Sequence, residues 1–206
     1  MIQNEKLKLL NAWRINPFAE FSISEIMKIL KKNTKTWIFN TLKELVKAKL
    51  LNSKRKGNLD IYNLNLSNPN VIQFLIYLET QDNVNFPQLE LISEIIEKVP
   101  IKNYSLIVFG SYANNQQTKT SDIDIGLLID NKETEKIIKP YLNEIKLNHP
   151  VKIDEHYITF EDFIKMLLRE EENLGKQIFR KHKTFYNADI YYQLIREAYK
   201  NGFRIQ

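Results

Sequence analysis

The chain has 206 residues, a net charge of +5, a hydrophobic fraction of 43% and no cysteine. That composition is globular rather than disordered and long enough for one large domain or two small ones; it excludes a disulfide framework, a thiolate zinc site and a cysteine nucleophile. No apolar stretch approaches the roughly 20 residues that span a bilayer, and Met1 is followed by a charged amphipathic segment rather than a signal-peptide core, so a cytoplasmic protein with no membrane partner is expected.

The charge is unevenly spread. Residues 1–68 hold 13 Lys or Arg against 5 Asp or Glu, a net of +8, whereas residues 69–206 hold 17 against 20, a net of −3. Two domains with different partners are expected, the first suited to a polyanion through phosphate contacts and counterion release.

Residues 5–13 predict a first helix with Leu7, Leu10 and Trp13 on one face, broken at Asn16-Pro17. Ser22 or Ser24 is placed to cap a second helix, in which Ile26, Ile29 and Leu30 share a face. Thr34 is expected to cap a longer third helix whose apolar stripe is Ile38, Leu42, Leu45 and Val46. Leu50-Leu51, the basic turn Lys54-Arg55-Lys56-Gly57-Asn58 and the alternation Tyr62, Leu64, Leu66 read as a hairpin. Together these predict a winged helix-turn-helix domain over residues 1–68, with its third helix aimed at a nucleic-acid groove. Lys35, Thr36, Asn40, Lys43 and Lys47 are the exposed candidates on that helix, and Lys54, Arg55 and Lys56 those at the wing tip. DNA or RNA is the expected partner, with a homodimer on a two-fold site by analogy with other winged helices; the same architecture also serves dimerisation and docking.

Residues 69–99 predict a helical connector without catalytic features, in which Val71, Phe74, Leu75 and Leu78 share a face and a second piece runs from Pro87 to Pro100. Strands and helices alternate over 100–206. Strands are predicted at Ser105–Phe109, Ile123–Ile129 and Val151–Ile158, with a charged helix over 132–147 between the last two. Thr159 is placed to cap a helix carrying Phe160, Phe163, Ile164, Leu167 and Leu168, and two further helical stretches lie near 174–182 and 188–201.

The chemistry concentrates in Phe109-Gly110-Ser111-Tyr112 and, after nine residues, Asp122-Ile123-Asp124-Ile125. A glycine directly after a buried strand allows a tight bend and close approach to a ligand. Ser111 adds a hydroxyl where helix N–H groups begin to point outward, a disposition that favours phosphate. Asp122 and Asp124 are two apart on a strand, so their carboxylates project from one face. Two carboxylates so placed repel unless a cation lies between them, and Mg2+ accepts such oxygen ligands together with phosphate oxygens. Ser121 is expected to cap or orient the aspartate turn.

Gly110-Ser111 followed by Asp122-Ile123-Asp124 resembles the signature of the DNA polymerase β nucleotidyltransferase superfamily, above all its minimal prokaryotic members and archaeal proteins that join a winged helix to such a domain. The resemblance covers about residues 100–160. It implies an α+β architecture in which a small mixed sheet backed by helices follows the winged helix-turn-helix domain, and transfer of a nucleoside monophosphate from an NTP, ATP in first place, to an acceptor hydroxyl with release of pyrophosphate. It implies that Gly110 and Ser111, joined by Tyr112 and Ser121, bind the nucleotide, and that Asp122 and Asp124 bind two Mg2+ ions, for which Mn2+ can substitute. It further implies a third catalytic and metal-binding carboxylate on a later strand, Asp154 or Glu155; the alternation of Val151 and Ile153 inward favours Asp154. His156 reads as a polar neighbour. Many relatives carry an arginine and a glycine in the intervening loop; here that loop is Tyr112 to Ser121, with Lys119 its only charge. The implied acceptors include nucleic-acid 3′ ends and protein side chains, the latter as in antitoxins that modify a partner toxin. The alternative is a DNA-binding regulator, of a toxin–antitoxin type, that uses the transferase domain to sense nucleotide.

Overall fold

The computed structural model describes residues 4–204, and the chain divides into two compact units between Glu79 and Thr80.

In the first unit, α1 (Asn4–Leu7) continues as a 3-10 segment, Lys8–Trp13, so the predicted helix forms but tightens. Trp13 is fully buried, its Nε1–H donates to the Ala19 carbonyl at 3.0 Å, and its ring lies 5.5 Å from that of Phe21. A short strand that the sequence did not announce, β1 (Phe21–Ser22), leads into α2 (Ile23–Leu30). Ser22, not Ser24, is the cap: its hydroxyl accepts from the Glu25 N–H, and the Glu25 carboxylate accepts from the Ser22 N–H at 2.7 Å. The Ser22 N–H and the Ser22 hydroxyl, both donating to that carboxylate, hold the Glu25 carboxyl below the usual range. On α2, Ile26 is buried but Ile29 is 44% exposed, so the apolar stripe is narrower than expected. Ser22→Ala is expected to lower stability by about 1 kcal/mol in urea unfolding; Ser24→Ala, altering an exposed residue, should leave the midpoint where it was.

Next is α3 (Lys35–Lys47), with Ile38, Leu42 and Leu45 fully buried. Thr34 occupies its N-cap position without making the side-chain bond predicted for it, its backbone (φ −90°, ψ 85°) lying outside the extended region that capping uses. The hairpin β2 (Leu51–Lys56) and β3 (Leu59–Leu64) turns at Gly57, φ +60°. With β1 it makes an antiparallel sheet in the order β1-β3-β2. α4 (Asn70–Asn83) then buries Val71, Leu75 and Leu78. The expected boundary at residue 68 precedes this helix, whereas the compact units divide within it.

The second unit comprises α5 (Leu89–Lys98), β4 (Tyr104–Phe109), α6 (Gly110–Ala113), β5 (Ile123–Ile129), α7 (Lys132–Asn148), β6 (Ile153–Thr159), α8 (Phe160–Leu168), α9 (Leu174–Arg180), β7 (His182–Tyr186) and α10 (Ala188–Lys200). Four strands form a mixed sheet in the order β6-β5-β4-β7, with β5 and β6 parallel and the other pairs antiparallel. The parallel pair requires a crossover, which α7 supplies. One sheet face presents Leu106, Val108, Ile123, Ile125, Leu127 and Ile129 to Ile92 and Ile95 of α5 and to Ile138, Leu142 and Ile145 of α7. On the other side α8 lies against β5 and β6, and α10 against β4. Coverage on both faces explains why β4 is buried along its whole length. Asn131 and Thr159 cap α7 and α8. Between the two C-terminal helices the structure inserts β7, an edge strand pairing with β4, where the sequence predicts only a break. Among the described residues no helix is long and apolar enough to cross a membrane.

Candidate active site

Three strand ends converge at one edge of this sheet. In register, Phe109 at the end of β4 stands opposite Asp124 on β5, and Asp124 opposite Asp154 on β6. Because side chains alternate along strands, Asp124, Asp154 and His156 share a face, the one turned away from the α5–α7 core. One ligand atom each from Asp124, Asp154 and His156 lies within 4.8 Å of the others, and His156 Nε2 is 3.3 Å from Asp154 Oδ2. The His156 ring packs 5.5 Å from that of Phe109.

Gly110 follows β4 directly, at φ +66°. A Cβ there would stand 2.0 Å from Asp124 Oδ2 and 2.9 Å from its Cγ. The bare backbone of Gly110 is therefore what lets the Asp124 carboxylate occupy its place, apart from the conformational demand of the positive φ. α6 then turns the chain. The Asn114 side chain donates to the Gly110 carbonyl at 3.0 Å, and the N–H groups of Asn114 and Gln116 donate to the Ser111 carbonyl at 3.2 and 2.9 Å. Asn115 adopts φ +54°, which asparagine tolerates better than most residues. The loop closes through Ser121, whose Oγ accepts from the Thr118 N–H at 2.9 Å. The hydroxyl of Ser121 thus shapes the turn ahead of Asp122. The Ile123 N–H donates to the Lys152 carbonyl at 2.8 Å, tying the starts of β5 and β6 together.

The electrostatics follow from this crowding. Burial, then the negative charge of Asp154 and more weakly of Asp122, push the Asp124 carboxyl above the usual range against an opposing pull from His156. A site that disfavours its own ionised carboxylate in this way is one that a divalent cation relieves. Asp124, Asp154 and His156 therefore fit a cation in both geometry and charge, and Asp122 is exposed at the entrance to β5.

Two residues proposed from the motif lie elsewhere. Tyr112 is buried, 5% exposed, with its ring 6.1 Å from Phe86; the turn of α6 carries its side chain into the core, which corrects its place among the nucleotide contacts. Glu155 lies on the opposite face of β6 and pairs with Lys146 of α7. One residue of register separates it from Asp154, and that step reverses the face. His156, in contrast, joins the cluster; its spacing of two from Asp154 in the sequence was the signal, and without a fixed register it read only as a polar neighbour.

Residues 89–184 match the family model of the nucleotidyltransferase domain. A protein of Methanocaldococcus jannaschii provisionally named a protein adenylyltransferase is 52% identical over 46 residues, which are 22% of this chain and 43% of that relative. The chain thus spans less than half of the curated relative it matches, and no solved structure matches it. The segment similar to the nucleotidyltransferase domain model, residues 89–184, contains Gly110, Ser111, Asp122, Asp124, Asp154 and His156.

Proposed function

We propose that this domain is an adenylyltransferase that moves AMP from ATP to the hydroxyl of a protein side chain. The observation that carries the reading is the in-register placement of Asp124 beside Asp154, with the Gly110 backbone against the Asp124 carboxylate. The name of the M. jannaschii relative supports a protein acceptor over a nucleic-acid end. Asp122, Asp124 and Asp154 would hold two divalent cations, Mg2+ or Mn2+. When bound, such cations neutralise the triphosphate and lower the pKa of the attacking hydroxyl. Gly110 and Ser111 position the phosphates: the glycine leaves room, and Ser111 offers its hydroxyl. Asp154, exposed and at the sheet edge, takes the proton as the acceptor oxygen bonds to the α-phosphorus. The bond from that phosphorus to the β-phosphate oxygen breaks, and pyrophosphate leaves. Incubation with α-labelled ATP, Mg2+ and a cell extract, followed by mass spectrometry of labelled protein, tests this; label in nucleic acid alone would overturn the protein acceptor.

A second reading is favoured by the first unit. We infer that it is a winged helix-turn-helix domain: α2 and α3 are followed by the hairpin β2–β3, and Lys35, Thr36, Asn40, Lys43 and Lys47 on α3 are all exposed. So are Arg55 and Lys56 at the tip, while Lys54 is paired with Glu20 and Lys43 lies 4.2 Å over the Phe39 ring. Bound to duplex DNA, α3 occupies the major groove and the tip follows the backbone. Replacing Lys35 and Lys47 by Ala is expected to reduce the salt dependence of DNA affinity by about two phosphate contacts, a slope change of roughly 1.8 in log K against log salt. Fluorescence anisotropy across a salt series measures this, and an unchanged slope would place the DNA elsewhere. DNA binding together with absence of transfer would favour a regulator that senses nucleotide.

A further inference from the structure

We infer that His156 completes a mixed carboxylate–imidazole cation site with Asp124 and Asp154, and that this site takes Mn2+ in preference to Mg2+. The inference rests on the reading above for the two aspartates and adds to it the identity of the ion. One ligand atom from each of the three lies within 4.8 Å of the others. Ligands about 2.1 Å from an octahedral ion stand about 3 Å apart when adjacent and about 4.2 Å apart when opposite. His156 Nε2 and Asp154 Oδ2, 3.3 Å apart, already have the adjacent spacing. The whole set needs to close only slightly.

The strand register sets this spacing. Asp124 and Asp154 are paired across β5 and β6, and His156 is two residues further on the same face, opposite Gly126. No β5 side chain competes with the imidazole at that level, and Phe109 packs beside the ring. The chain has three histidines. His149 is bonded to Glu94 at 2.6 Å, and His182 is buried with its Nδ1 3.2 Å from the Phe179 carbonyl. His156 is thus the histidine placed at the carboxylates. Magnesium is a hard ion that retains water and takes oxygen ligands, whereas first-row transition dications accept imidazole nitrogen. Substituting a nitrogen donor for an oxygen donor shifts the preference towards the transition ion.

The full chain is loaded with Mn2+ in the absence of nucleotide and studied by pulsed EPR. The expected spectrum shows 14N coupling from a directly bound imidazole, and His156→Gln abolishes it. The same variant weakens Mn2+ binding by about tenfold or more, while Mg2+ affinity, read by competition, changes by less than about twofold. Should His156→Gln misfold by circular dichroism, the wild-type spectrum alone decides. A wild-type Mn2+ spectrum with oxygen ligands only, failure to bind Mn2+ at millimolar concentration, or unaltered Mn2+ affinity in a folded His156→Gln protein would each overturn the inference, leaving His156 as an ion-pair partner of Asp154. Transfer with an oxygen-only Mn2+ site sinks this inference and spares the transferase; nitrogen coupling without any transfer does the reverse.

Discussion

Asp124→Asn is expected to lower the rate of AMP transfer by on the order of 10^3-fold with the fold intact. A cation held at the reacting phosphate supplies several kcal/mol of transition-state stabilisation, and each 1.36 kcal/mol is a factor of ten. Asp124 is central to the cluster: it faces Asp154 across the strand pair and abuts Gly110. Asparagine preserves shape while removing the charge proposed to bind the ion. Single-turnover transfer from α-labelled ATP measures the loss, and activity within tenfold of wild type would remove Asp124 from the chemistry.

The same variant carries a stability signature of opposite sign. The Asp124 carboxyl is raised above its unfolded value by burial and by Asp154. Between the unfolded and folded values the native state binds more protons, so stability falls as pH rises through that window, and the penalty is complete above it. At neutral pH, without divalent ions, Asp124→Asn should therefore melt at the same temperature as wild type or higher. The difference should vanish at pH values below the normal carboxylate range. Added Mn2+ then stabilises wild type, by about 2.7 kcal/mol at one hundred times its Kd, and leaves the variant unmoved. Thermal melts across pH with and without Mn2+ read both effects.

How much of this was legible in the chain depended on where local chemistry outweighed tertiary context. β5 at Ile123–Ile129 was readable because an apolar alternation is bounded by aspartates and a polar loop. α7 was readable as a long charged run over 132–147, and the cap that Asn131 supplies came only with the structure. The edge strand β7 was not, since His182-Lys183-Thr184-Phe185-Tyr186 has little alternation of its own and becomes a strand through pairing with β4. The spacing of the motif predicts Asp122 and Asp124 on one strand face, but β5 begins at Ile123, so Asp122 precedes the strand and Asp124 clusters with Asp154 and His156 instead. The alternation of Val151 and Ile153 already favours Asp154 over Glu155, but setting it opposite Asp124 needed the β5–β6 register, and the burial of Tyr112 needed the α6 turn, because a helix of four residues has no periodicity to read.

Gly110→Ala is expected to reduce transfer by about 10^2-fold and to lower stability by about 1–2 kcal/mol, through two separable causes. The first is backbone strain: φ +66° lies in the left-handed region, which costs an L-residue roughly 1–2 kcal/mol. The second is collision, since the added Cβ would meet Asp124 Oδ2 at 2.0 Å. The carboxylate must swing away, and a displacement of about 1 Å at a reacting centre costs on the order of 10^2-fold. Gly57 separates the causes. It has φ +60°, yet a Cβ there meets nothing within 4 Å. Gly57→Ala should lose comparable stability by strain alone and retain full transfer. If both variants keep transfer at the wild-type rate, the Asp124 carboxylate does not need the room that Gly110 leaves it. If only Gly110→Ala loses transfer and also loses affinity for Mn2+, the carboxylate's position is what the glycine protects.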